Sequence, residues 1–78
     1  MTSHPDRHEV LAQLLRDLRT AASLTQTEVA GALDKPQSYV SKYESGERRL
    51  DLVELADLCP VLGVTLPELA AMFVERAR

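Results

Sequence analysis

Between Thr25 and Gly46 the chain sets out side chains whose types and spacing suit the reading of a hydrogen-bonding surface. Gln37, Ser38, Ser41, Lys42 and Ser45 fall at i, i+1, i+4, i+5 and i+8, which gathers them on one stripe of a helix. An ordinary solvated helix face is richer in Glu and Lys, because serine is the poorer helix former. A stripe of short hydroxyl and amide groups with one lysine and no acid therefore points to a use other than solvation. Short side chains let a helix lie close to base edges in a DNA major groove, where Gln matches adenine N6/N7 and Lys matches guanine O6/N7. On this reading Gln37, Ser38, Ser41 and Lys42 face bases. Gln26 opens the preceding helix beside unpaired backbone N–H groups that favour an anion. Together with Tyr39, Ser45 and the two loop arginines beyond Gly46, Arg48 and Arg49, it is expected to contact backbone phosphates.

Other chemistries find little support. The single cysteine, Cys59, allows no internal disulfide and belongs to no zinc framework, and it falls within an apolar helical stripe. His4 and His8 are one helical turn apart, a spacing that can chelate a metal, but with no third ligand beside them they read as solvated. No nucleophile, base and orienting group can be assembled, and no glycine-rich phosphate loop is present. Neither an enzyme nor a cofactor, metal or small-molecule ligand is expected. No run approaches the ~20 apolar residues of a membrane span, and the opening Met-Thr-Ser-His-Pro-Asp lacks the regions of a signal peptide. A cytoplasmic location away from membranes is expected.

The net charge of −3 opposes phosphate binding at first sight, since counterion release needs Lys and Arg. Its distribution does not. Residues 1–34 carry −2, residues 35–50 carry +2 and residues 51–78 carry −3, so the reading stripe lies in the only positive block. A basic footprint with acidic surroundings limits indiscriminate binding.

The elements that must position these residues are five helices with short connections. Four starts share an oxygen-bearing N-cap with Glu three residues on: Asp6/Glu9, Thr25/Glu28, Asp51/Glu54 and Thr65/Glu68. The third helix, roughly Gln37 to Ser45, starts after Pro36, whose missing N–H costs nothing there. Gly46 and Gly63 are natural helix-ending residues. In the first helix Val10, Leu11, Leu14, Leu15, Leu18, Ala21 and Ala22 form one apolar arc, and Val29, Ala30 and Leu33 face inward from the second. The third turns Pro36, Val40 and Tyr43 to the core, with Tyr39 and Glu44 at its edges. The fourth buries Leu52, Leu55, Ala56, Cys59 and Leu62, and Pro60 should bend or shorten its last turn. The fifth, about Leu66 to Ala77, places Leu66, Leu69, Ala70, Phe73 and Ala77 on one arc. Ala71, Met72 and Val74 widen that surface beyond what one core needs, which points to self-association through Met72, Phe73 and Val74.

As a set, Arg19, Leu24-Thr-Gln-Thr-Glu-Val-Ala30, Gln37-Ser-Tyr-Val-Ser-Lys-Tyr-Glu-Ser-Gly46 and Leu62-Gly-Val-Thr-Leu66 resemble the Cro and phage-repressor type of helix-turn-helix proteins, the Xre family. The match runs from about Leu11 to Phe73. It implies an all-α, compact five-helix bundle, a lambda-repressor-like DNA-binding domain whose second and third helices form the helix-turn-helix, over residues 9–78 after a partly ordered arm of residues 1–8. It also implies that Gln26 binds a phosphate and buttresses Gln37, and that Arg19 and Glu44 form a structural ion pair. Pro36 departs from a usual capping Ser or Thr, and Pro60 interrupts a usually continuous helix. The implied function is a sequence-specific homodimeric transcriptional regulator, a repressor by family type, on double-stranded DNA, with pseudo-palindromic half-sites ~34 Å apart. An alternative keeps the fold but uses it to recruit a protein partner, as an antitoxin-like module does.

Overall fold

The computed structural model describes residues 6–78, which form α1 (Arg7–Ala21), α2 (Gln26–Ala32), α3 (Gln37–Ser45), α4 (Leu52–Leu62) and α5 (Leu66–Arg76), with no strand among them. His4 and most of the expected arm lie outside the described residues.

The helix starts at α2, α4 and α5 carry full capping boxes, in which Thr25, Asp51 and Thr65 accept from the backbone of Glu28, Glu54 and Glu68 and the glutamates accept in return. Each box satisfies two backbone donors that the helix itself leaves unpaired. The expected box at Asp6/Glu9 does not form. Asp6 instead accepts from the N–H of His8, one position earlier, so α1 starts at Arg7 with a simple cap. At α3 the cap is Pro36, which offers no side-chain acceptor.

Left-handed residues follow α1 to α4 and turn the chain sharply. Gly46 (φ 85°) and Gly63 (φ 76°) do so after α3 and α4. Asp34 takes the same conformation (φ 57°) after α2, while Lys35 N–H donates back to Ala30 O at 2.9 Å. This turn brings α3 back into contact with α2. Aspartate visits the left-handed region more readily than most residues, which lets the connection stay short without glycine.

One core holds the bundle. Leu14 and Leu15 of α1, Val29 and Ala30 of α2, Val40 and Tyr43 of α3, Leu58, Cys59 and Leu62 of α4 and Leu69 of α5 pack into a single buried cluster. Burying each large side chain contributes ~1.5–3 kcal/mol against chain entropy. An ion pair at 2.8 Å between Arg76 and Asp17 adds an exposed tie from α5 to α1.

Several side-chain placements differ from the sequence reading. Ala21 and Ala22 are exposed, and Ala12 is buried in their stead. Pro36, expected inside, faces solvent. In α4 the buried stripe is rotated: Leu58 is core, whereas Leu52 is 68% exposed and Ala56 is also outside. The reason is that α4 is apolar around most of its circumference, so periodicity alone does not fix which side faces the core. Pro60 does not shorten α4, which continues to Leu62.

Candidate nucleic-acid interface

Val40 and Tyr43, 0% and 2% exposed, fasten α3 to the core, and the opposite side of the helix is thereby committed to solvent. Gln37, Ser38 and Lys42 are exposed on that side and Ser41 is partly so. The outward stripe ends at Ser45, whose hydroxyl donates to Lys42 O at 3.0 Å and accepts from Glu47 N–H at 3.4 Å, helping to close the helix.

A chain of polar contacts runs from the interior to the tip of α3. Arg19 donates from Nε to Glu44 Oε2 at 2.6 Å and from Nη2 to Glu44 Oε1 at 3.0 Å, a two-pronged pair joining α1 to α3. Its Nη1 donates to Leu24 O at 2.9 Å and so ties down the chain ahead of α2. The pair is nearly dry, with 11% and 4% of the two side chains exposed. Gln26 Nε2 donates to the same Glu44 Oε1 at 3.0 Å, and Gln37 Nε2 donates to Gln26 Oε1 at 2.7 Å. The first residues of α2 and α3 are therefore coupled to each other and to the interior. The link between Gln26 and Glu44 had no signal in sequence periodicity, because the two lie on different helices.

A second cluster flanks the stripe. The Tyr39 hydroxyl donates to Glu54 Oε2 at 3.2 Å, and Arg48 Nη2 lies 2.8 Å from the same oxygen. The Arg48 guanidinium stands 4.8 Å from the Tyr39 ring centre, and Lys35 Nζ stands 5.4 Å from it. Tyr39 in turn meets Tyr43 edge-on at 5.7 Å, so the cluster is seated on the core. The hydrogen bond from Arg48 and the backbone bond from Asp51 hold the Glu54 carboxyl down to about 2. The sequence marks Glu54 as the capping partner of Asp51 but gives no sign of its contacts with Tyr39 and Arg48. Arg49 is exposed beside Arg48. Gln26, Gln37, Tyr39 and Arg48 thus each have protein partners, while Ser38, Lys42 and Arg49 extend outward.

Away from this face, Leu11, Leu52, Leu55, Leu66, Leu69, Ala70 and Phe73 line an open apolar groove of about 250 Å³ between α1, α4 and α5. Leu52, Val53 and Val74 are 68%, 70% and 60% exposed. Met72 and Phe73 pack partly against the chain's own core. Among the described residues no single helix is long and apolar enough to cross a membrane.

Comparison with known proteins agrees with this architecture. Residues 10–72 match the family described as "Helix-turn-helix domain". An XRE-family like protein from Pseudomonas syringae pv. tomato shares 40% identity over 92% of this chain and 88% of its own, with a TM-score of 0.83. The clp gene regulator ClgR from C. glutamicum superposes over the full length of both chains at a TM-score of 0.85 and 24% identity. A mutant of the restriction-modification controller protein C.Esp1396I does so over 94% and 92% at a TM-score of 0.82 and 16% identity. These last two likenesses concern the fold. A search of curated proteins returns no match. The family and fold are those of DNA-binding regulators, and this chain belongs to the XRE-type helix-turn-helix family.

Proposed function

We propose that this protein is a homodimeric, sequence-specific transcriptional regulator that lays α3 in the major groove of a pseudo-palindromic operator. The observation that carries this reading is the outward polar stripe on a helix whose opposite side is fully buried, with its first residue, Gln37, braced through Gln26 to Glu44. Gln37, Ser38, Ser41 and Lys42 read base edges, and Gln26, Tyr39, Ser45, Arg48 and Arg49 grip the flanking phosphates. Dimerisation would cover the exposed Val74 and the neighbouring apolar surface of Met72 and Phe73, and would set two recognition helices about one DNA turn apart. The same surface is what a protein-recruiting module would use, so the two readings divide on DNA. Titration against a randomised duplex pool should enrich a two-fold symmetric sequence, with affinity falling steeply as salt rises. Binding that is undetectable, or indifferent to salt, would sink the proposal.

A further inference from the structure

Glu44 looks like a structural residue, paired to Arg19 and turned away from the reading stripe. Its carboxylate also has a logical consequence for Gln37. A carboxylate held by a guanidinium only accepts hydrogen bonds. The Gln26 amide, 3.0 Å from Glu44 Oε1, must therefore turn its NH₂ group inward. That leaves Gln26 Oε1 facing outward, where it can only accept, and Gln37 must meet it with Nε2, as it does at 2.7 Å. Gln37 is left with a free Oε1 and one remaining N–H. One acceptor beside one donor complements adenine, which presents N6–H₂ and N7 in the major groove; guanine presents two acceptors, O6 and N7. The same amide turned over would offer two N–H groups and suit guanine.

We infer that Glu44 is a positioning residue for base choice, fixing through Gln26 which end of the Gln37 amide faces the groove and so favouring adenine over guanine at the base opposite Gln37. This rests on the reading that α3 lies in the major groove. The low exposure of the Arg19–Glu44 pair, 11% and 4%, keeps the reference acceptor from turning away. A polarity set at Glu44 is therefore passed outward without being lost to rotation.

The test uses the full chain and the duplex selected from a random pool, with the base opposite Gln37 located as the position whose preference Gln37→Ala abolishes. The quantity measured is the affinity ratio for adenine over guanine at that position, alongside affinity for random duplex. Glu44→Gln should reduce the ratio by roughly tenfold, the worth of one bidentate base contact, with random-duplex affinity little changed. Gln26→Leu should lower the ratio to the same extent without touching the Arg19–Glu44 pair, while random-duplex affinity also falls because a phosphate contact is lost, and its ratio decides the matter if Glu44→Gln does not fold. The double variant Gln26→Glu/Glu44→Gln should restore the ratio even if it binds more weakly overall. Its carboxylate at position 26 again accepts from Gln37, whichever way the amide at position 44 donates. A ratio unchanged in Glu44→Gln or Gln26→Leu, or not recovered in a folded double variant, overturns the inference while leaving the proposed function standing. Absence of sequence preference in the wild-type protein overturns both.

Discussion

Arg48 Nη2 sits 2.8 Å from Glu54 Oε2, across the gap between the loop after α3 and the first turn of α4. The same carboxylate takes the Tyr39 hydroxyl at 3.2 Å and the Asp51 backbone N–H at 2.9 Å. One acidic side chain thus closes the α4 cap and holds a loop arginine against an aromatic ring. These contacts depress the Glu54 carboxyl from 4.5 to about 2 in the folded protein. A depressed acid contributes stability above its unfolded value, and that contribution is lost as pH falls through the folded value. Glu54→Gln should therefore lower the thermal midpoint at neutral pH, and the gap from wild type should close between pH 4.5 and about 2. Because the site is exposed, the effect is small. A gap that persists unchanged below that window would contradict this account.

The outward residues separate into two kinds by what each can touch. Lys42 is exposed on the stripe itself, whereas Arg49 lies in the loop beyond Gly46. Lys42→Ala should relax preference at one base position in each half-site, costing ~1–3 kcal/mol against the preferred base. Arg49→Ala and Arg48→Ala should weaken all duplexes alike and reduce the salt slope by ~1 each. Binding titrations on preferred and scrambled duplexes at several salt concentrations distinguish the two. Uniform loss in all three variants would dissolve the distinction between reading and gripping.

Arg19 and Glu44 are buried enough that removing one partner strands the other. Arg19→Met leaves a carboxylate with 4% exposure and no counter-charge, which should cost ~3–5 kcal/mol in urea unfolding. The double change Arg19→Met/Glu44→Leu should recover much of that loss, because a buried pair repays little more than its own desolvation. Equal losses in the single and double variants would show that packing, not the stranded charge, governs this site.

How far the sequence reached depends on how local the determining interaction is. Thr25/Glu28, Asp51/Glu54 and Thr65/Glu68 announce helix starts because the partners are three residues apart, and Gly46 and Gly63 announce helix ends because few residues tolerate positive φ. The outward stripe on α3 was legible for the same reason, since Val40 and Tyr43 fix the buried side of a short amphipathic helix. The α4 face was not. Leu52, Val53, Leu55, Leu58, Val61 and Leu62 spread around most of its wheel and leave Glu54 and Asp57 only a narrow polar edge, so the neighbouring helices choose Leu58 over Leu52. The contacts Gln26–Glu44 and Tyr39–Glu54 span 18 and 15 residues, and no period connects them. Tertiary packing alone brings those pairs together, and with them the links that organise the interface.

Val74 and Phe73 are neighbours in sequence but differ in what they hold together. Val74 is 60% exposed, whereas Phe73 packs partly against the core and lines the groove between α1, α4 and α5. If α5 is the subunit contact, Val74→Glu should leave the unfolding free energy of the isolated chain in urea within ~0.5 kcal/mol of wild type, as surface changes do. Sedimentation should nevertheless show a monomer, and the advantage of a two-half-site duplex over a single half-site should vanish, a loss on the order of 10²–10⁴ in apparent affinity. Phe73→Ala should lower both stability and association, because it removes buried area from the chain's own core as well. A Val74→Glu protein that still sediments as a dimer would move the subunit contact off this part of α5. The exposed Leu52 and Val53 at the start of α4 would then be the next surface to charge.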